Sequence, residues 1–99
     1  MESEIIFYSK ADGTEPVVDF LSSLDNKMRA KVVRTIELLS SYGFNLREPY
    51  SKPLDDGIFE LRAQVASDIS RVLYFFVIGQ KVVLTNGFIK KLKKRRLKK

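Results

Sequence analysis

Arg71 is the residue whose position most invites a chemical explanation. It interrupts the apolar segment ISRVLYFFVI, residues 69–78, where a charged side chain is costly unless it pairs or reaches water. Arg62 lies in the alternating segment IFELRAQ, residues 58–64, on its polar side. If the two segments are neighbouring strands, two guanidinium groups share one sheet face. They then repel unless an anion or a carboxylate lies between them. The planar guanidinium fork suits phosphate in particular. A salt bridge from Arg71 to Glu60 or Asp68 is the competing structural explanation. Further basic groups fall near the same face or its rim. They are Arg47 and Lys52 before the second strand, and Lys90 and Lys91 at the end of the last one. Phe88 and Tyr74 are the nearby aromatic candidates. Taken singly, Arg62 reads as a solvent-facing strand residue, Lys52 as an exposed loop lysine, and the two aromatics as core. The combination is what points to an anionic ligand.

Composition narrows the chemistry. The chain has no cysteine and no histidine. Disulfides and thiolate metal sites are excluded, and the commonest metal ligand and general base are missing. Proton transfer would fall to Lys, Arg, Tyr, Asp or Glu. No compact acidic cluster suggests a metal site, and no cofactor is expected. The net charge of +6 is unevenly spread: residues 90–99 hold eight of the 18 basic residues and no acidic one. The remainder carries ten basic and twelve acidic residues, a net of −2. Such concentration fits a nucleic-acid or other anionic partner, with a solvated tail as the alternative. No apolar run approaches the roughly 20 residues that span a bilayer. MESEIIFYSK lacks the charged start and long apolar run of a secretory signal, so a cytoplasmic location is expected.

The elements that must position these groups are legible. Residues 3–9 read as a first strand with apolar groups on both faces. Asp12-Gly13 marks a turn, and Thr14 is placed to cap a short helix opened by Glu15-Pro16. In that helix Val17, Phe20, Leu21 and Leu24 form one face. A second helix, residues 26–42, is capped by Asp25 or Asn26 and stopped by Gly43. Met28, Val32, Ile36 and Leu39 make its buried stripe. Residues 44–57 read as a loop. Three strands follow, the last two joined by a two-residue turn at Gly79-Gln80. The expected fold is α+β, in the order β-α-α-β-β-β, with the helix hairpin packed on one face of an antiparallel sheet. The other face stays partly open for function. Residues 1–91 form one domain, and residues 92–99 a mobile basic tail.

The segments SKPLDDGIFELRAQ and ISRVLYFFVIGQKVVLTNGFIKK resemble the RelE/HigB-type toxins of bacterial toxin–antitoxin systems, and more narrowly their phage-derived HigB-like branch. The resemblance covers nearly the whole chain and includes the element order. It implies a metal-free endoribonuclease, an mRNA interferase that cuts translated mRNA on the ribosome and inhibits translation and growth. The ribose 2′-hydroxyl would attack the adjacent phosphate, so the protein mainly positions and neutralises. Under this resemblance Arg62 and Arg71 stabilise the phosphorane charge. Lys52, Lys90 and Lys91 bind backbone, and one acts as base or acid. Phe88 supports a base, with Arg47 and Tyr74 as further binding candidates. Glu60 is an arginine partner rather than a catalyst. Asn86 stands where relatives commonly have histidine, and LKKRRLKK where they continue into a helix. The tail is expected to add nonspecific RNA or ribosome affinity.

The resemblance also implies a small cognate antitoxin, with a helix-turn-helix domain expected, and contact with DNA only through the antitoxin complex. Two alternatives keep the fold: a ParE-like toxin acting on DNA gyrase, and a degenerate, non-catalytic RNA-binding relative. The basic set favours the ribonuclease.

Overall fold

The computed structural model describes residues 2–91. The expected tail, residues 92–99, lies outside the described residues. The chain forms β1 (Glu4–Phe7), α1 (Pro16–Ser23), α2 (Asn26–Tyr42), a 3₁₀ turn (Gly43–Asn45), β2 (Ser51–Pro53), β3 (Phe59–Val65), β4 (Asp68–Val77) and β5 (Lys81–Lys91). This is the expected α+β order, with one short strand added. The strands make a single sheet in the order β1-β5-β4-β3-β2.

Three details of the sheet differ from the sequence reading. β1 pairs with β5 in parallel, so the sheet is mixed rather than wholly antiparallel. β2 lies inside the segment read as a loop and pairs antiparallel with β3, Ser51 opposite Leu61 and Lys52 opposite Glu60. Asp56-Gly57 closes this hairpin. Both residues have positive φ, and Ile58 N–H donates to the Asp55 carbonyl at 3.0 Å. Positive φ at both central positions is the type I′ requirement that makes Asp-Gly a hairpin signal. The β4–β5 turn is one residue longer than expected. Val77 opposite Lys81 leaves Ile78, Gly79 and Gln80 between the strands.

The helices cover one sheet face. Pro16 opens α1, where its missing N–H has no intrahelical partner to lose. Thr14 does not cap this helix. Its N–H and hydroxyl instead donate to Asp12, which holds the Asp12 carboxyl below its usual pKa. Asp25 caps α2 by accepting from Met28 N–H at 2.9 Å. Arg29 ties the two helices: its Nε donates to the Leu21 carbonyl, and Nη2 to the carbonyls of Ser22 and Leu24. Orphan carbonyls at the end of α1 are thereby satisfied.

Met28, Val32, Ile36 and Leu39 are buried as the periodicity predicts. They meet Leu61 and Ala63 of β3, Val72 and Tyr74 of β4, and Val82 and Leu84 of β5. Gly87 lets α1 approach β5. A Cβ there would lie 2.5 Å from Phe20 Cδ2 and 2.9 Å from Cγ, inside any real contact. Gly87→Ala is therefore expected to cost about 1–3 kcal/mol, the range for overpacking a filled core. A lowered denaturant midpoint at unchanged slope would check it. Wild-type stability would mean that α1 shifts freely, contrary to this packing.

Candidate functional site

Strand alternation sorts the candidate residues onto two faces. Phe59, Leu61 and Ala63 of β3, with Val72, Tyr74 and Phe76 of β4, pack towards the helices. Glu60, Arg62 and Gln64, with Ile69, Arg71 and Leu73, therefore project from the opposite, open face. On that face Arg62 lies directly opposite Arg71, and Arg71 directly opposite Phe88. Lys52 lies opposite Glu60, and Ile69 opposite Lys90. Directly opposed side chains have Cβ atoms about 4.5–5.5 Å apart. One contiguous field thus runs from Lys52 on β2 to Lys90 on β5.

The salt bridge that competes with a functional explanation of Arg71 is present, and its partner is Glu60 rather than Asp68. Arg71 Nη1 donates to Glu60 Oε2 at 2.9 Å, and Arg62 Nε stands 3.6 Å from Glu60 Oε1. The Glu60 side chain is only 6% exposed, whereas Arg71 is 17% and Arg62 28% exposed. The arginines therefore form the roof over a buried anion and remain accessible themselves. A single carboxylate balances two guanidinium groups, and Lys52 and Lys90 add charge with no ion-pair partner among the described residues. Arg71 Nε is buried without a hydrogen-bond partner. Such an unpaired donor carries a desolvation cost.

A bulge in β5 decides which of its residues join the field. Leu73 pairs with Asn86 but Tyr74 pairs with Leu84, so Thr85 is an inserted residue. Its hydroxyl donates to the Leu73 carbonyl and to Asn86 Oδ1. Uninterrupted alternation from buried Val82 and Leu84 would turn Phe88 and Lys90 towards the helices. The insertion reverses the parity, so Asn86, Phe88 and Lys90 face outward while Gly87 faces Phe20. Bulges commonly re-aim side chains in this way beside functional sites.

The structure thus brings together Arg62, Arg71, Lys52, Lys90 and Phe88, with Phe88 42% exposed. It does not bring in the other three candidates. Lys91 is on the helix-side face, where its Nζ pairs with Asp68 at 2.7 Å. Tyr74 is 1% exposed on the core side. Its hydroxyl hydrogen-bonds Ser51, its ring stacks on Phe59 with centroids 5.4 Å apart, and burial raises its pKa. Arg47 lies in the loop after the 3₁₀ turn, where Nη1 donates to the Phe44 carbonyl, beside helix-side residues Ser51 and Phe59. Parity alone separates Tyr74 from Arg71, because residues three apart on a regular strand face opposite ways. Asn86 joins the open face, a position that sequence reasoning had marked only as a departure from histidine.

Among the described residues no three acidic side chains gather into a metal-binding group, and no helix is long and apolar enough to cross a membrane. A family model described as phage-derived protein Gp49-like (DUF891) matches residues 19–99. No curated protein matches the chain.

Proposed function

The chain belongs to the phage-derived Gp49-like family, a toxin-like family related to the RelE and HigB toxins, and we propose that it is the toxin of a toxin–antitoxin pair that cleaves translated mRNA on the ribosome. The observation that carries this reading is the cross-strand pair Arg62–Arg71 roofing the buried Glu60, flanked by Lys52, Lys90 and Phe88. The field has excess positive charge, and its guanidinium groups are in part open to solvent. A phosphodiester balances that charge at the accessible nitrogens; the buried Arg71 Nε is out of its reach.

The chemistry needs little from the protein beyond position and charge. The 2′-oxygen of a ribose attacks the adjacent phosphorus, and the 5′-oxygen of the next nucleotide leaves. The products are a 2′,3′-cyclic phosphate and a free 5′-hydroxyl. Arg62 and Arg71 stabilise the charge that develops on the phosphorane. Of Lys52 and Lys90, one accepts the 2′-hydroxyl proton and one protonates the departing oxygen. Phe88 supports a flanking base. Glu60 is a positioning residue that fixes the Arg71 fork. Lys91, paired with Asp68 on the far face, is left out of the machinery. A neutralising antitoxin is the expected partner, and DNA contact is assigned to that partner.

Controlled expression in bacteria tests the proposal. Growth arrest should coincide with cuts confined to translated frames, and the purified protein should cut mRNA only when ribosomes are present. Arrest with intact mRNA and damaged DNA would transfer the chain to the gyrase-directed toxins.

A further inference from the structure

The basic residues of α2 are of two kinds. Arg29 is engaged in holding α1. The side chains of Lys27, Lys31 and Arg34 are exposed and have no hydrogen-bond or ion-pair partner among the described residues. Their spacing of four and three places them on one helical face, where like charges are neighbours and repel. Lys27 also lies in the first turn of α2, the end at which the helix dipole disfavours a cation. Glu37, three residues beyond Arg34, offsets part of the repulsion without forming an ion pair, and an anion beside Lys27 and Lys31 would offset the rest.

The stripe faces a track that leads to the open-face site. One groove is lined by Lys31, Tyr50, Arg62 and Gln64, and an adjoining one by Lys27, Lys31, Arg34 and Gln64. The shared residues make the two continuous. β2 stops short of this region: Arg62 N–H still donates to the Tyr50 carbonyl, but Ala63–Val65 have no β2 partner. That free edge is three residues long, short of the five or six of an ordinary strand, so an added peptide strand would gain little there. Three unpaired cations and the 41% exposed ring of Tyr50 suit single-stranded nucleic acid better, through backbone neutralisation with stacking.

We infer that this track holds the single-stranded RNA continuing beyond the nucleotides bound at Arg62 and Arg71. Lys27, Lys31 and Arg34 meet successive phosphates, and Tyr50 meets a base. The inference rests on the proposed RNA-directed function and extends it to a second binding region.

The test compares full-length wild type, the Lys27→Gln/Lys31→Gln/Arg34→Gln variant and the Arg62→Gln/Arg71→Gln variant. Their affinities for synthetic single-stranded RNAs of about 4 and about 12 nucleotides, within usual site sizes, are measured over a salt series. The α2 variant should lose at least about tenfold in affinity for the longer RNA, and its salt slope should fall by about 2, at about 0.7 per contact. The advantage of the longer RNA over the shorter should shrink, whereas the arginine variant should weaken at both lengths. Wild-type affinity and slope in the α2 variant would overturn the track while a defective arginine variant leaves the active-site reading standing. If neither variant weakens binding, both readings fall; if wild type binds neither RNA, the track falls, and cleavage on ribosomes decides the active-site reading.

Discussion

Replacing Arg71 with alanine is expected to lower ribosome-dependent cleavage by about 10²–10³-fold, the usual effect of deleting one preorganised group that stabilises transition-state charge. Arg71 stands on β4, between Arg62 on β3 and Phe88 on β5, so its backbone is held on both sides. Its Nη1 is fixed by Glu60 at 2.9 Å, which orients the rest of the fork before substrate arrives. Arg71→Lys keeps the charge but loses the planar fork, and should fall between wild type and alanine. The ordering wild type, lysine, alanine distinguishes a phosphate contact from a generic cation, for which lysine would serve as well as arginine. Arg71→Ala also leaves a buried carboxylate with only the 3.6 Å contact to Arg62. Cleavage must therefore be measured on protein shown to be folded, below its unfolding midpoint. A folded Arg71→Ala protein that cuts at the wild-type rate would remove this residue from the mechanism.

The sharing of one face by Arg62 and Arg71 was legible because it depends only on period-two patterning; their direct pairing is a matter of register. Glu60, Arg62 and Gln64 alternate with Phe59, Leu61 and Ala63, which fixes the outward side of β3. Charge called for an anion or a carboxylate between the two arginines and left Glu60 and Asp68 both open, a choice that the structure makes for Glu60. The division between Lys90 and Lys91 was not legible. It is set by the inserted Thr85; Gly87 signals an irregularity or a close approach but does not say which residue is inserted. β2 was missed for a different reason. Three residues containing a proline carry almost no strand signal, so the Asp56-Gly57 turn has no visible partner strand before it. The parallel placement of β1 is tertiary: the apolar pattern of IIFY is the same whichever way its neighbour runs. The place of Lys31 beside Arg62 follows from how α2 lies across β3, which helical periodicity does not show.

Glu60→Ala should be among the most destabilising single substitutions in the protein, costing about 3–5 kcal/mol, the range for removing one partner of a buried ion pair. The loss has two parts. The Arg71 guanidinium, 17% exposed, would keep its desolvation without its partner. Arg62 and Arg71 would also face each other directly across the strands, and like charges so placed repel. A double-mutant cycle isolates the coupling. If Glu60 acts by holding Arg71, the Glu60→Ala/Arg71→Ala protein should be less destabilised than the two single changes summed, by well over the 0.3–0.5 kcal/mol or so within which independent sites add. Added inorganic phosphate should stabilise Glu60→Ala more than wild type, because an anion bound between the arginines replaces the missing carboxylate by mass action. Simple additivity, with no differential effect of phosphate, would mean that the arginines do not share a single anion position. A substrate phosphate could not then be held by the two together.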